Sequence, residues 1–214
     1  MLSEKEANEM LKILKKEYPN VHYYLNYKTP LELLVCAILS AQTRDEVVNK
    51  ATPELFKKFD TAHTFSKATP DQLNEYIKSI TFFQAKSKNI IEACKVIVEK
   101  YDGNVPRTMG DLLSLPGIGR KTANTILINA YGIVEGIPVD TWVIKLSTRM
   151  GFTKNKNPDK IENDLMNLFK KEYWKDLAYL FKTHGKAICK STVPICSKCS
   201  VSKLCPKIGV EKYL

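Results

Sequence analysis

The chain has 214 residues and a formal net charge of +10 at pH 7, with 33 lysines and arginines against 23 acidic residues. This length suffices for one large domain or two small ones. A basic balance of this size fits a nucleic-acid partner, although a merely lysine-rich surface would give the same charge. The polar, acidic N-terminus excludes a secretory signal, and the longest strongly apolar run, Leu33 to Leu39, is too short to span a bilayer. We therefore expect a cytoplasmic protein that does not associate with membranes.

Helix signals are dense along the chain, whereas strand signals are scarce. Ser3-x-x-Glu6 is a capping box that opens a helix ending near Tyr18, and Thr29-Pro30 opens a second helix. The second contains the run Leu33–Leu39, which is apolar on nearly every side and predicts a buried central helix. Further helices are predicted from Thr69 onward and over residues 85–100, 108–115, 120–131, 140–150, 158–171 and 173–188. The sequence therefore predicts an all-α fold with a non-helical tail that is ordered by metal.

The stretch Leu115-Pro116-Gly117-Ile118-Gly119-Arg120-Lys121 predicts the end of one helix, a short turn and the start of the next. Gly117 and Gly119 permit positive φ and close approach of a partner, and the second helix would point its N–H groups outward, as in an anion site. Lys121 would lie in the first turn, where the helix dipole disfavours the ammonium form. It is either a phosphate clamp or a partly neutral amine for nucleophilic attack, unless it is an ordinary solvated lysine.

Asp140 offers a carboxylate at another predicted helix start, in the sequence Pro138-Val139-Asp140-Thr141. Plain N-capping is a sufficient explanation for an aspartate at this position, and capping and chemistry are compatible. Accepting N–H bonds stabilises the charged form of a carboxylate, which weakens it as a proton acceptor. An electrostatic role is therefore favoured over that of a base.

Four of the six cysteines crowd into one short stretch near the C-terminus, with the spacing Cys189-x6-Cys196-x2-Cys199-x5-Cys205. Four thiolates at this density can close a metal site without other ligands. Structural zinc usually prefers two Cys-x2-Cys pairs, and only one is present. The uneven spacing favours an iron–sulfur cluster over zinc, and zinc over no metal. Cys36 and Cys94 stand alone in apolar helical stretches and are predicted to be buried free thiols.

The hairpin, the Val-Asp-Thr motif at Asp140 and the cysteine spacing, in this order, resemble the endonuclease III group of helix-hairpin-helix DNA glycosylases. The likeness covers essentially the whole chain. It implies a monomeric, nucleoid-associated glycosylase with abasic-site lyase activity, which removes oxidised pyrimidines from double-stranded DNA. It also implies that Lys121 is the Schiff-base nucleophile, that Asp140 assists it, and that the four cysteines hold a 4Fe-4S cluster.

The resemblance further implies which residues contact DNA. The hairpin backbone would hold one phosphate, often with a monovalent cation, and Gln42 would fill the gap left by an extruded nucleotide. The opposing wedge would come from the loop Thr81-Phe82-Phe83-Gln84. The DNA-binding residues expected from the motifs are Gln42, Leu115, Gly117, Ile118, Gly119 and Arg120. Trp142, Lys145 and Thr81 replace the family's frequent histidine, arginine and glycine, so the family's lesion range is not carried over.

The family fold implies two helical lobes with a DNA-binding cleft between them. Residues 23–134 would form a six-helix barrel lobe with the helix-hairpin-helix at about 108–131. Residues 1–22 and 135–214 would form the iron–sulfur cluster lobe, with the cluster loop at 189–205. Lys121 and Asp140 would then face each other across the cleft.

Other functions remain open at this level. A mismatch-specific glycosylase of the same superfamily is disfavoured by Lys121, because adenine-mismatch enzymes normally lack this lysine and thymine-mismatch enzymes usually have tyrosine there. A pyrimidine-dimer glycosylase would keep the lysine. A non-catalytic iron–sulfur DNA-binding protein would not need Lys121 and Asp140, and an electron-transfer protein would leave the hairpin unexplained. The three histidines, His22, His63 and His184, have no ligand spacing and are expected to be structural or surface residues.

Overall fold

The computed structural model describes residues 2–214, and within this range the secondary structure is entirely helical. This confirms the predicted all-α fold. No helix in the described range is both long and apolar enough to cross a membrane. The α-helices, in chain order, are α1 (Glu4–Glu17), α2 (Pro30–Leu39), α3 (Asp45–Lys58), α4 (Ala62–Ser66), α5 (Pro70–Ile77), α6 (Phe83–Tyr101), α7 (Met109–Leu113), α8 (Arg120–Tyr131), α9 (Thr141–Arg149), α10 (Pro158–Leu168) and α11 (Lys171–Ala187).

Contacts between Cα atoms divide the chain into two compact units. The first, called here the hairpin unit, is Tyr24–Ile133 and contains α2 to α8. The second, called the cysteine unit, joins the segment that ends at Tyr23 to Val134–Leu214. These boundaries differ by one residue from those expected from the sequence.

Helix α2 lies at the centre of the hairpin unit, as its composition predicts. Thr29 caps it by accepting the N–H of Glu32, and every residue from Leu33 to Leu39 is buried. The helix packs against α6 and α8, so the hairpin helix α8 is built directly on the core. Cys36 and Cys94 are both fully buried and form no disulfide, which confirms the prediction, and burial raises the pKa of each thiol to about 12.

Helices α3 and α4 are not among the predicted helices. Helix α3 begins after Arg44, which makes no side-chain cap bond, and it contains Pro53 in its interior. Both features are typical of a helix boundary or a loop. The helix forms because Val48 and Leu55 are buried against the rest of the unit, so tertiary packing outweighs the weak local signals.

The cysteine unit has its own core, formed by α1, α9, α10 and α11. The Ser3–Glu6 capping box that was predicted for α1 is present. Phe152 packs against Phe169 and Phe181, with ring centroids 5.2 and 6.0 Å apart. Beyond α11, the only helical segment in the described tail is a 3-10 turn at Cys196–Lys198, as expected for a stretch without helical periodicity.

Candidate active site

A tight turn connects α7 to α8 and forms the predicted helix-hairpin-helix. The N–H of Leu115 donates to the carbonyl of Leu112 at 3.1 Å, and the N–H of Ile118 donates to the carbonyl of Leu115 at 3.2 Å. The side chains of Leu115 and Ile118 are only 2% and 7% exposed. They anchor the hairpin in the core, so these two predicted DNA-binding residues can reach a ligand only through their main chains.

The two hairpin glycines serve different purposes. Gly117 has φ +80°, and a Cβ there would lie 3.0 Å from the Cβ of Asn89, so both backbone and space require glycine. Gly119 has φ −102°, which other residues adopt, and a Cβ there would meet no atom within 4 Å. Of the two, only Gly117 therefore has the positive φ. At position 119 the absence of a side chain instead leaves the backbone accessible to a partner.

Helix α8 begins with positive charge and without a side-chain cap. Gly119 occupies the N-cap position, and the first turn holds no acidic residue but begins with Arg120 and Lys121. Cations at this end oppose the helix dipole by about 0.3–1 kcal/mol each. The first-turn N–H groups of any helix lack intrahelical acceptors, so this start is arranged to accept an anion.

Lys121 itself is half-buried on the first turn of α8. Its carbonyl accepts the hydroxyl of Thr125 at 2.9 Å, one turn further along. The following residues, 123–128, are buried in the core. The lysine is therefore attached to a rigid helix, which suits a group that must be held in a fixed position.

Asp140 is the N-cap of α9, so the capping interpretation is correct. Its Oδ1 accepts the N–H groups of Trp142 at 2.8 Å and Val143 at 2.9 Å. Both bonds go to one oxygen, and the second oxygen, Oδ2, takes no part in the cap. Capping and a chemical role are thus compatible in geometry.

Trp142 packs into the cysteine unit. A Cβ at residue 185 would overlap its ring, so Gly185 is the residue that makes room for it. The Nζ of Lys145 lies 6.0 Å from the ring centroid, at the limit of a cation–π contact. These contacts favour core packing as the role of Trp142.

Gln42 lies in the loop after α2, where it is exposed and has φ +53°. Phe82, in the loop before α6, also has a positive φ of +55° and is 64% exposed. Left-handed conformations are unfavourable for side chains of this size. Both residues therefore have a strained backbone conformation, and both are exposed to solvent.

The four cysteines of the tail line a single pocket of about 330 Å³, counted with the solvent space at its mouth. No three His, Cys, Asp or Glu side chains within residues 2–214 lie close enough together to hold one metal ion. Burial raises the pKa of Cys199 to about 11, and it raises the pKa of Cys196 and Cys205 as well. Thiolates in this pocket therefore need a bound cation to compensate their charge.

Arg149 and His184, which the motifs do not single out, hold this pocket together. Arg149 is 9% exposed, and its guanidinium donates to the carbonyls of Cys189, Lys190 and Ser191 at 2.8–3.1 Å. His184 is fully buried, with Nδ1 3.2 Å from the Tyr18 hydroxyl and Nε2 3.4 Å from the Sγ of Cys199. The histidine is structural, as expected, but it also contacts a predicted metal ligand.

Comparison with known proteins agrees with this geometry. Residues 35–171 match the family described as HhH-GPD superfamily base excision DNA repair protein. An endonuclease III of Synechocystis sp. is 46% identical over 207 residues, which are 96% of this chain and 94% of the relative.

Solved structures give the same result. A trapped endonuclease III–DNA covalent intermediate superposes with a TM-score of 0.93 at 36% identity, over 97% of each chain. A thermostable thymine-DNA glycosylase superposes with a TM-score of 0.84 at 22% identity, over 95% of this chain and 96% of its own, and so shares the fold. The chain belongs to the HhH-GPD superfamily of base excision DNA repair proteins and, within it, to the endonuclease III family.

Proposed function

We propose that the protein is a base-excision DNA glycosylase with abasic-site lyase activity, and that it removes oxidised pyrimidines from duplex DNA. The observation that carries the proposal is Lys121, a lysine on the uncapped, cationic start of α8. A relative with 36% identity forms a covalent intermediate with DNA, and such an intermediate requires a nucleophile in the protein. Because its target would be chromosomal DNA, we also expect it at the nucleoid.

The chemistry begins with the neutral amine of Lys121. Its lone pair forms a bond to C1′ of the extruded nucleotide, and the glycosidic bond breaks, with its electrons leaving on the base, which takes up a proton. Opening of the sugar ring gives an imine between Nζ and C1′. Loss of a proton from C2′ then expels the 3′ phosphate, and water finally hydrolyses the imine to release the enzyme.

Asp140 supports this reaction electrostatically. Positive charge develops on the sugar as the base departs, and a fixed carboxylate lowers the energy of that state without being protonated. The two N–H bonds to Oδ1 fix the direction of the carboxylate. The cap is therefore a means of orienting the charge.

The hairpin holds the DNA through one phosphate. The bare backbone at Gly119 and the N–H groups of the first turn of α8 supply the donors, and Arg120 adds charge. A monovalent cation at the turn would share the phosphate. Phosphate contacts fix the register without reading sequence, which suits an enzyme that searches long DNA for damage.

The four cysteines fit an iron–sulfur cluster. They line one pocket, and ligation by four cysteine thiolates is the usual donor set of a 4Fe-4S centre. When bound, the cluster would supply a positively charged iron–sulfide core that compensates part of the charge of the four thiolates and would order the loop 189–205, with its lysines, for contact with DNA. Iron and inorganic sulfide in equal amounts in anaerobically purified protein would support this assignment, whereas stoichiometric zinc without iron would contradict it.

Borohydride trapping tests the proposed nucleophile. Wild-type protein is incubated with duplexes that contain an abasic site or thymine glycol, and the reduced imine is detected as a covalent protein–DNA adduct. Lys121→Ala and Lys121→Arg should give no adduct. The arginine variant should still bind the duplex, since it keeps the charge of a phosphate clamp but has no nucleophilic amine.

Lys95→Ala is the matched control, because Lys95 is a solvent-facing lysine of α6 that pairs with Glu92 at 2.8 Å. It should trap DNA as the wild type does. An undiminished adduct from Lys121→Arg would rule out Lys121 as the nucleophile.

A further inference from the structure

Lys86 is a buried lysine that the proposed chemistry does not use. It lies in the first turn of α6 and is only 6% exposed. Burial lowers the pKa of Lys86 to about 8. A buried ammonium is costly unless its donors are satisfied, so its hydrogen-bond partners are informative.

The three N–H donors of Lys86 have three acceptors in the loop after α2. Its Nζ lies 2.8 Å from the carbonyl of Leu39, 2.5 Å from that of Ala41 and 3.0 Å from the Oγ1 of Thr43. These acceptors flank Gln42 on both sides. The last carbonyls of a helix lack intrahelical donors, and a cation there is favoured by the helix dipole. The ammonium thus holds the chain on either side of the strained residue.

The Thr43 hydroxyl that accepts from Lys86 also binds the second exposed loop, which precedes α6. The N–H of Thr81 donates to the Oγ1 of Thr43 at 3.2 Å, and the N–H of Lys86 donates to the carbonyl of Phe82 at 3.2 Å. The second of these bonds is the i→i−4 bond that opens α6, which any residue at this position would make, so the side chain of Lys86 reaches the second loop through the Thr43 hydroxyl. The residues next to these contacts are Gln42 and Phe82, both exposed and both with positive φ.

We propose that Lys86 is a positioning residue that holds the Gln42 and Phe82 tips rigid for insertion into the DNA duplex. Left-handed backbone is unfavourable in a non-glycine residue and persists only where the surroundings impose it. An apolar side chain would fill the same space but would release three acceptors, and the tips would then relax. The proposal rests on the function proposed above, in which Gln42 enters the stack.

The test is a double-mutant cycle between Lys86 and Gln42. Lys86→Met keeps the length and removes the ammonium, and Thr43→Val keeps the shape and removes the shared hydroxyl. Each is made in the wild type and in Gln42→Ala, with Lys95→Met as the control. Single-turnover excision of thymine glycol is measured together with the fluorescence of 2-aminopurine placed opposite a stable abasic-site analogue.

We expect Lys86→Met to slow excision by about tenfold or more, because small displacements of positioning groups cost up to about a hundredfold in rate. Thr43→Val should have a smaller effect in the same direction. Neither should slow Gln42→Ala further, since residues that act through one element do not have independent effects. Both variants should also lose part of the fluorescence change that insertion produces, whereas Lys95→Met should retain it.

The positioning role would be overturned if Lys86→Met or Thr43→Val slowed excision in the Gln42→Ala background by the same factor as in the wild type. An unaltered fluorescence change in the variants would overturn it as well. If Lys86→Met does not fold, the same criteria apply to Thr43→Val alone. Absence of both excision and borohydride adduct in the wild type would instead contradict the proposed function, so the two failures are distinguishable.

Discussion

Helices α8 and α9 begin in opposite ways, although each start carries a residue of the proposed chemistry. Helix α8 follows Gly119, has no side-chain cap, and begins with the cations Arg120 and Lys121. Helix α9 follows Asp140, whose Oδ1 accepts two N–H groups of its first turn. The start of α8 has no side-chain cap, whereas the chain itself supplies the anion that caps α9.

In the proposed function, the two helix starts therefore differ in whether they contribute to the stability of the fold or to the binding of phosphate. A capping side chain contributes about 1 kcal/mol to a helix start, and cations in the first turn take away a comparable amount. Helix α8 gives up this stabilisation, and bound phosphate would restore it. Substitutions at the two starts should therefore move stability and activity independently, which makes the contrast testable.

Asp140→Asn should have the largest effect on activity. Asparagine caps a helix as well as aspartate does, so the free energy of unfolding should stay within about 0.5 kcal/mol of the wild type. Excision should slow by about a hundredfold or more, the usual loss when one charge-stabilising group is removed. Urea unfolding and single-turnover excision measure the two quantities. Equal rates in the variant and the wild type would reduce Asp140 to a cap.

Gly185→Ala tests how firmly packing fixes the start of α9. The new methyl group overlaps the ring of Trp142, and overpacking of this kind costs about 1–3 kcal/mol. The double variant Gly185→Ala/Trp142→His should recover most of the loss. Gly110→Ala is the control, because a Cβ there meets no atom within 4 Å. If Gly185→Ala unfolds at the same urea concentration as the wild type, then packing against residue 185 does not fix the position of Trp142.

Gly119→Asp would give α8 the kind of cap that α9 has. Helix stability should rise by only about a few tenths of a kcal/mol, because glycine is itself a tolerable N-cap. Affinity for duplex DNA should fall by about tenfold at low salt, because the added carboxylate occupies the donors and repels phosphate. Binding titrations and unfolding curves together decide the result. A variant that binds DNA as tightly as the wild type would show that the start of α8 is not the phosphate site.

Gly117→Ala should act on stability. The residue would have to keep φ +80° with its Cβ 3.0 Å from that of Asn89, which costs about 1–2 kcal/mol. The measurement is the shift in urea midpoint, with Asn89→Ala as the background that relieves the contact. Loss of more stability in that background than in the wild type would contradict the steric explanation.

The sequence identifies features whose partners are near in the chain. The caps at Ser3, Thr29 and Asp140 bond to N–H groups two or three residues away, so three or four letters suffice to predict them. Helix α3 lacks such a cap and forms through burial of residues such as Leu55. Its existence depends on neighbours that a local pattern does not contain.

The same reasoning applies to the candidate site. The hairpin and the cysteine spacing are contiguous, and both can be identified from the sequence. Lys86 and Arg149 bond to carbonyls about 40 or more residues away along the chain, and each is an ordinary basic residue in an amphipathic helix. Only the tertiary structure reveals that they are buried and to what they are bonded.

Cys36 and Cys94 offer a practical consequence of their burial. The thiolate is the reactive form of cysteine. Because Cys36 and Cys94 have no exposed surface and pKa values of about 12, they should not react with maleimides or oxidants in the native state. Every thiol that reacts in the folded chain would then belong to the tail. Native-state thiol titration would therefore measure what fraction of a preparation carries the proposed cluster, with fully loaded protein expected to be unreactive.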